Sequence, residues 1–240
     1  MSVTITAADI NKLRQTTGAG MLDCRKALTE SNGDFEAAID WLRKQGQKVA
    51  AKRSDREAKE GVVIAQTTAD HKSGIVLCIS CETDFVSKNA DFVAFAQSIA
   101  DAAIANDVKT AEELNGVTVN GAKVEELIND KLAAIGEKIA VSKFERVDAP
   151  YVASYIHGAN RMGVLVSMTK EAAEAGKDVA MQIAAMNPLA VDETSISQET
   201  KDREKAIAIE MIKAEGKPAE MAEKIADGKM NKFFKDNTLM

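Results

Sequence analysis

Aromatic side chains are scarce: Phe, Tyr and Trp together make up 4% of the 240 residues, so the cores must be built from Ala, Ile, Val, Leu and Met. No apolar run approaches the roughly 20 residues needed to cross a bilayer, and no membrane association is expected. The opening Met-Ser-Val-Thr-Ile-Thr lacks a basic segment leading into an apolar one, so no secretory signal is expected either. Cysteine occurs three times without a paired framework, which suits a reducing compartment and points to the cytoplasm. Basic charge is in deficit. Of 31 basic and 37 acidic residues, eleven and nine fall in residues 1–60, leaving twenty against twenty-eight for the remainder. That balance excludes the basic footprint of a protein gripping a nucleic-acid backbone and favours a protein partner.

Catalytic signatures are missing as well. There is no Gly-x-Ser-x-Gly, no phosphate loop, and no Gly-x-Gly-x-x-Gly opening a helix. Gly18-Ala-Gly20 is too short and follows a helix, so it reads as a turn. Cys78-Ile-Ser-Cys81 has the spacing of a zinc half-site or a redox pair, but no second pair exists and the two histidines are remote in sequence. On a strand, positions 78 and 81 face opposite ways, against a shared metal or disulfide. Neither a cofactor, nor a metal, nor covalent catalysis is expected.

What is present divides by period. Thr6-Ala-Ala-Asp9 resembles a capping box opening a helix with Ile10 and Leu13 on one face. A second helix over 21–31 turns Leu22 and Leu28 inward, and a third over 35–45 carries Ala38, Trp41 and Leu42 before Gly46 closes it. Three short helices joined by glycine turns make a small bundle over residues 1–46. Residues 47–60 alternate in charge and read as a solvated helix or linker. From Gly61 the spacing becomes that of strands: 61–68 and 74–82 form a hairpin. A helix over 91–105 follows with Phe92, Phe95 and Ile99 on its buried stripe, then a helix over 121–136 with Val124, Ile128 and Leu132. Strands resume at 138–147, 151–157 and 163–170. Helices clustered between antiparallel strands define an α+β core, with subdomains over 61–148 and 149–190. A helix over 171–186 breaks at Asn187-Pro188. Helices over 199–215 and 219–234 then form an antiparallel hairpin within 191–240, with Ile207, Met211 and Ala214 facing Met221, Ile225 and Phe233.

The pivotal stretch is 74–86, where an apolar strand ends abruptly in Glu82-Thr83-Asp84-Phe85 and Asn89 and Asp91 open the helix behind it. Phe85 has two readings. Phenylalanines ordinarily turn into the core, whereas an exposed ring beside an acid would be an interface anchor. His157, at the end of a strand, reads either as an ordinary surface residue or as a contact residue.

Three motifs carry a resemblance. Residues 13–28 (Leu-Arg-Gln-Thr-Thr-Gly-Ala-Gly-Met-Leu-Asp-Cys-Arg-Lys-Ala-Leu), then Glu82-Thr-Asp-Phe-Val86, then Tyr155-Ile-His-Gly158 with Gly163-Val-Leu-Val166, closely resemble bacterial translation elongation factor Ts. The resemblance implies a guanine-nucleotide exchange factor for elongation factor Tu, acting without covalent chemistry and without a cofactor. It implies a ubiquitin-associated-like bundle docking through Leu13, Met21 and Leu22. Thr83, Asp84, Phe85 and Val86 fall on the segment that dislodges Mg2+ from Tu, with Gly136 and His157 as further core positions facing Tu. It allows a homodimer of heterodimers and implies no direct contact with nucleic acid or membrane. The family usually continues with further strands and a helix beyond the equivalent of residues 237–240. Three explanations stay open: a shortened version, a differently built second sheet, or an edge supplied by a partner. The rival reading is a tether or scaffold module that binds Tu without catalysing release; Thr83-Asp84-Phe85-Val86 is what a tether would not need.

Overall fold

The computed structural model describes residues 4–53, 55–216 and 218–240, in two compact units, Met1–Gly176 and Lys177–Met240. Helices and antiparallel sheets are mixed along the chain, an α+β arrangement. No helix among the described residues is long and apolar enough to cross a membrane.

The first unit opens with three helices: α1 (Ala7–Thr17), α2 (Met21–Glu30) and α3 (Phe35–Arg53). The capping box forms as its residues dictate. The Thr6 hydroxyl accepts the Asp9 N–H, and the Asp9 carboxylate accepts the Thr6 N–H. Gly18 then ends α1 in the left-handed region. Leu13, Cys24, Ala27, Leu28 and Ala38 meet in the bundle core. Leu22 does not join them, contrary to its predicted inward direction. Positions 22 and 28 are six residues apart and cannot share a helix face, and Cys24, Ala27 and Leu28 already fill the buried one. The third helix also departs from expectation, running through Gly46 to Arg53 instead of stopping at residue 45. Gly46 is a packing residue: a Cβ there would lie 2.8 Å from that of Ala133. One helix therefore serves two cores, with Trp41 and Leu42 on the bundle and Val49 on the sheet core.

Strands β1 (Glu60–Thr67) and β2 (Ser73–Cys81) form the predicted hairpin, and β2 also pairs on its other side with β5 (Ala140–Asp148), giving the order β1-β2-β5. After β2 come a single turn, α4 (Asp84–Ser87), and α5 (Ala90–Ala105), capped by the Asn89 side chain. Then follow α6 (Ala111–Gly116), β3 (Thr118–Val119), β4 (Ala122–Lys123), α7 (Val124–Ile135) and β5 (Ala140–Asp148). The predicted start of α7 at 121 is corrected. Asn120 and Gly121, both at positive φ, make the two-residue turn of a small β3–β4 hairpin, and the helix begins three residues later. One face of the large sheet buries Val62, Ile64, Ile75, Leu77 and Ile79 against Phe92, Ile99, Ile128 and Leu132. The other face of β1 receives a two-stranded sheet of β6 (Tyr151–His157) and β7 (Met162–Met168). Gly163 makes this approach possible, since a Cβ there would sit 2.8 Å from Val63 Cγ1. Cys78 and Cys81 lie on opposite faces of β2, half-buried and buried respectively.

Helix α8 (Ala173–Met186) leads into the second unit, which holds α9 (Gln198–Ala214) and α10 (Ala219–Asn237). These pack as a hairpin, but not through the expected faces. Ala208 and Ile212 of α9 meet Ala222 and Ala226 of α10, leaving Ile207, Met211 and Met221 exposed. Small side chains let the helix backbones approach closely, so an alanine seam displaces the bulkier stripe one residue along. Thr238 bridges Ala190 in parallel, and the Leu239 and Met240 N–H groups donate to Ala190 and Val191.

Candidate functional site

β2 leaves the sheet at Cys81, which is fully buried with its thiol 3.2 Å from the Thr83 carbonyl. Burial, reinforced by the nearby Glu137 and Glu60 carboxylates, pushes that thiol up to about 11, so it stays protonated and inert near neutrality. The chain then makes one helical turn. Lys88 N–H donates to Asp84 O at 3.0 Å and Asn89 N–H to Val86 O at 3.1 Å. A single turn can set few side chains against the core, and Val86 takes that place. Phe85, about 100° around the helix from Val86, is left 85% exposed. The burial ranking that favours an inward phenylalanine does not hold here.

Two carboxylates hold the base of this turn. Glu137 Oε2 accepts the N–H groups of Glu82 at 3.1 Å and Thr83 at 3.0 Å, and its Oε1 accepts the Thr83 hydroxyl at 2.6 Å. Glu82 reciprocates: its Oε1 accepts the Lys138 N–H at 2.6 Å. Arg53 reaches Glu82 at 2.8 Å and Arg56 at 3.0 Å, bringing in the end of α3. The Lys138 N–H, aided by the two guanidiniums, holds the Glu82 carboxyl down at about 2. Gly136 sets up the approach. It ends α7 at φ +79 with open space around its Cβ position, so backbone direction is what calls for glycine.

Asp84 is engaged by Lys88 at 2.6 Å, one turn along, and that ammonium lowers its pKa, with Arg161 adding a smaller share. Arg161 itself reaches Glu60 at 3.4 Å from the β6–β7 turn. Gly158, Ala159 and Asn160 of that turn are all left-handed, and Asn160 grips β1 by exchanging hydrogen bonds with the backbone of Val63. His157 stands exposed just before it, with Nδ1 3.0 Å from the Tyr155 hydroxyl.

The bundle positions separate. Met21 and Leu22 are 55% and 81% exposed on α2, whereas Leu13 is fully buried in the bundle core. Leu13 therefore has no surface of its own to offer. A cleft of about 930 Å3 lies between bundle and core, lined by Gly18 and Trp41 on one side, Leu127 and Lys131 on the other, and Phe85 with Val86. Sequence spacing did not single out Glu82, Glu137, Arg53 or Arg56 as partners. An acid directly preceding Thr-Asp-Phe and a second acid following a helix-ending glycine are the signals that could have found the first two. Among the described residues, no group of three or more His, Cys, Asp or Glu side chains is arranged to hold a metal ion.

Residues 82–240 match the family model described as Elongation factor TS. Similar proteins include Elongation factor Ts of Christiangramia forsetii, 49% identical over 98% of this chain and 86% of that protein. That of Cytophaga hutchinsonii is 49% identical over 99% and 87%, and that of Methylococcus capsulatus 44% identical over 99% and 82%. Matches of that identity and extent, with the Glu82-Thr-Asp-Phe-Val86 segment at the start of the matched region, place this chain in the elongation factor Ts family.

Proposed function

We propose that this chain is a cytoplasmic guanine-nucleotide exchange factor for elongation factor Tu, promoting GDP release through Asp84 and Phe85. The observation that carries the reading is Phe85, a large apolar ring left 85% exposed on a turn anchored at its base. In the free chain the ring gains no burial, so its burial is available to whichever state of a partner accepts it. Docking falls to Met21 and Leu22 on a ubiquitin-associated-like bundle, with Leu13 in the core that holds the bundle together. Thr83 and Val86 frame the probe, and Gly136 and His157 extend the core face turned toward Tu.

The physics is linkage. GDP on such a GTPase is held by Mg2+ and by backbone N–H groups around its phosphates. A partner that favours the nucleotide-free shape weakens nucleotide binding, and nucleotide weakens the partner equally. Burying one phenylalanine only in the open state supplies about 1.5–3 kcal/mol, a shift of roughly ten- to a hundredfold. Asp84, freed from Lys88, perturbs the hydrogen bonds around the metal. No bond is made or broken by this chain.

The test is release of a fluorescent GDP analogue from Tu in the presence of Mg2+. Faster release with this chain, lost in the Asp84→Ala, Phe85→Ala double variant, supports the reading. Binding to Tu without faster release would favour the tether module instead.

A further inference from the structure

We propose that Glu137 is a positioning residue for Phe85: its carboxylate clamps residues 82 and 83 and so fixes the direction in which α4 presents the ring. The proposal rests on the exchange reading given above and adds to it the device that keeps the probe aimed.

The four-residue α4 is one turn, too short to hold itself in water. Thr83 occupies its N-cap position, yet makes no side-chain capping bond to the helix. The hydroxyl that would ordinarily cap is turned away and donates to Glu137. The two backbone N–H groups leading into the turn go to the same carboxylate. Three donors thus converge on one charged acceptor carried by a different segment, 54 to 55 residues along the chain. Hydrogen bonds to a charged group are short and directional, which suits them to fixing an orientation.

The clamp is reciprocal. Glu137 takes N–H groups from residues 82 and 83, and Glu82 takes the N–H of residue 138. Glu82 also receives Arg53 and Arg56, and the Lys138 ammonium donates to the Arg56 carbonyl at 2.9 Å. The base of the probe, the turn after α7 and the end of α3 are therefore tied at one point. Since α3 carries the bundle at its other end, the exposed Met21–Leu22 surface and the Phe85 ring are held as parts of one frame. A probe oriented before contact needs no ordering on binding, so the gain appears in the rate of the step it drives.

A double-mutant cycle separates positioning from general support. Glu137→Ala and Glu137→Gln are made alone and with Phe85→Ala, and each fold is checked by circular dichroism and melting. Release of a fluorescent GDP analogue from Tu is followed over a range of concentrations of this chain. Glu137→Ala is expected to lower the maximal release rate roughly tenfold, leaving the half-saturating concentration, set by the bundle, within about twofold. Glu137→Gln recovers most of the rate, because its amide oxygen still accepts the two N–H groups. With Phe85→Ala already present, Glu137→Ala adds less than about twofold. A full tenfold loss in that background, or no loss in either, overturns the positioning role. Thr83→Val carries the same cycle should Glu137→Ala fail to fold.

Amide hydrogen exchange over residues 82–88 in the free chain needs no Tu. Protection is expected to fall about tenfold in Glu137→Ala and to return in Glu137→Gln, with β2 unaffected. Unchanged protection overturns the clamp even where the exchange-factor reading stands. Failure of the unsubstituted chain to speed GDP release overturns that reading, and with it the purpose assigned to the clamp.

Discussion

Two neighbouring stretches of this chain are built for opposite ends. In β2, Ile75, Leu77, Ile79 and Cys81 have no exposed surface, and each packs in the sheet core. Four residues beyond Cys81, Phe85 stands almost wholly in water. Phe85 is as apolar a side chain as Ile75 or Leu77, so hydrophobicity of the side chain alone does not decide which is buried. What differs is where the backbone hydrogen bonds go. Those of β2 pair with β1 and β5 on both sides. Those at residues 82 and 83 pair with one carboxylate, which holds the chain without burying it. Anchoring is separated from packing, and a large ring can then be displayed on a rigid base.

Truncating one side chain in each stretch separates packing from display. Leu77→Ala is expected to lower unfolding free energy by about 2–5 kcal/mol, because the sheet closes only partly over the void. Phe85→Ala is expected to stay within about 0.5 kcal/mol of the unsubstituted chain in the same denaturant titration. On nucleotide release the order reverses among the folded proteins. Phe85→Ala loses roughly ten- to a hundredfold, and Leu77→Ala loses little wherever it remains folded. Equal destabilisation by the two substitutions would mean that Phe85 is part of the core after all.

Two glycines distinguish packing from backbone direction, with smaller effects. At Gly46 an added Cβ would approach that of Ala133 to 2.8 Å, so Gly46→Ala must push α3 from α7 and is expected to cost about 1–3 kcal/mol. At Gly136 nothing lies in the way, but the backbone is left-handed at φ +79. Gly136→Ala is expected to cost about 1–2 kcal/mol through the backbone alone. It would also disturb the direction in which Glu137 leaves α7. Protection of the amides over 82–88 should then fall further in Gly136→Ala than in Gly46→Ala, although the second is expected to be at least as destabilising overall.

The same contrast decides what could be read from the sequence. Periodicity located the strands and helices because burial imposes it, as at Ile75, Leu77 and Ile79 or at Phe92 and Ile99. It misread Gly46 as a stop, since a glycine that admits a neighbouring helix and one that ends a helix look alike in one dimension. It misplaced the α9–α10 seam because the residues in contact, Ala208, Ala222 and Ala226, are small, and the bulkier Met211 and Met221 drew the stripe toward themselves. Resemblance is what marks the Thr83–Val86 segment, and spacing does not decide the exposure of Phe85. Glu82 and Glu137 were missed because they pair across the fold, and a solvated acid and a clamping acid have the same letter.

Glu82 differs from a solvated acid in its titration, which gives the smallest predicted effect. Its carboxyl is held at about 2 against an ordinary value of 4.5, chiefly by the Lys138 N–H and then by Arg56 and Arg53. A depressed carboxyl contributes stabilisation that is fully present above its unfolded value and is lost as pH falls toward the folded one. The tie among α3, the probe and residue 138 should therefore be constant from pH 8 down to about 5. It should weaken between 4.5 and about 2. Hydrogen exchange over 82–88, corrected for its intrinsic pH dependence, is expected to be flat across the first range and to gain an acid limb in the second. Glu82→Gln should abolish that limb, since the amide has no proton to take up, and leave any limb owed to Asp84, whose pKa is also lowered. Persistence of the whole limb in Glu82→Gln would assign the acid sensitivity elsewhere and reduce Glu82 to an ordinary surface acid.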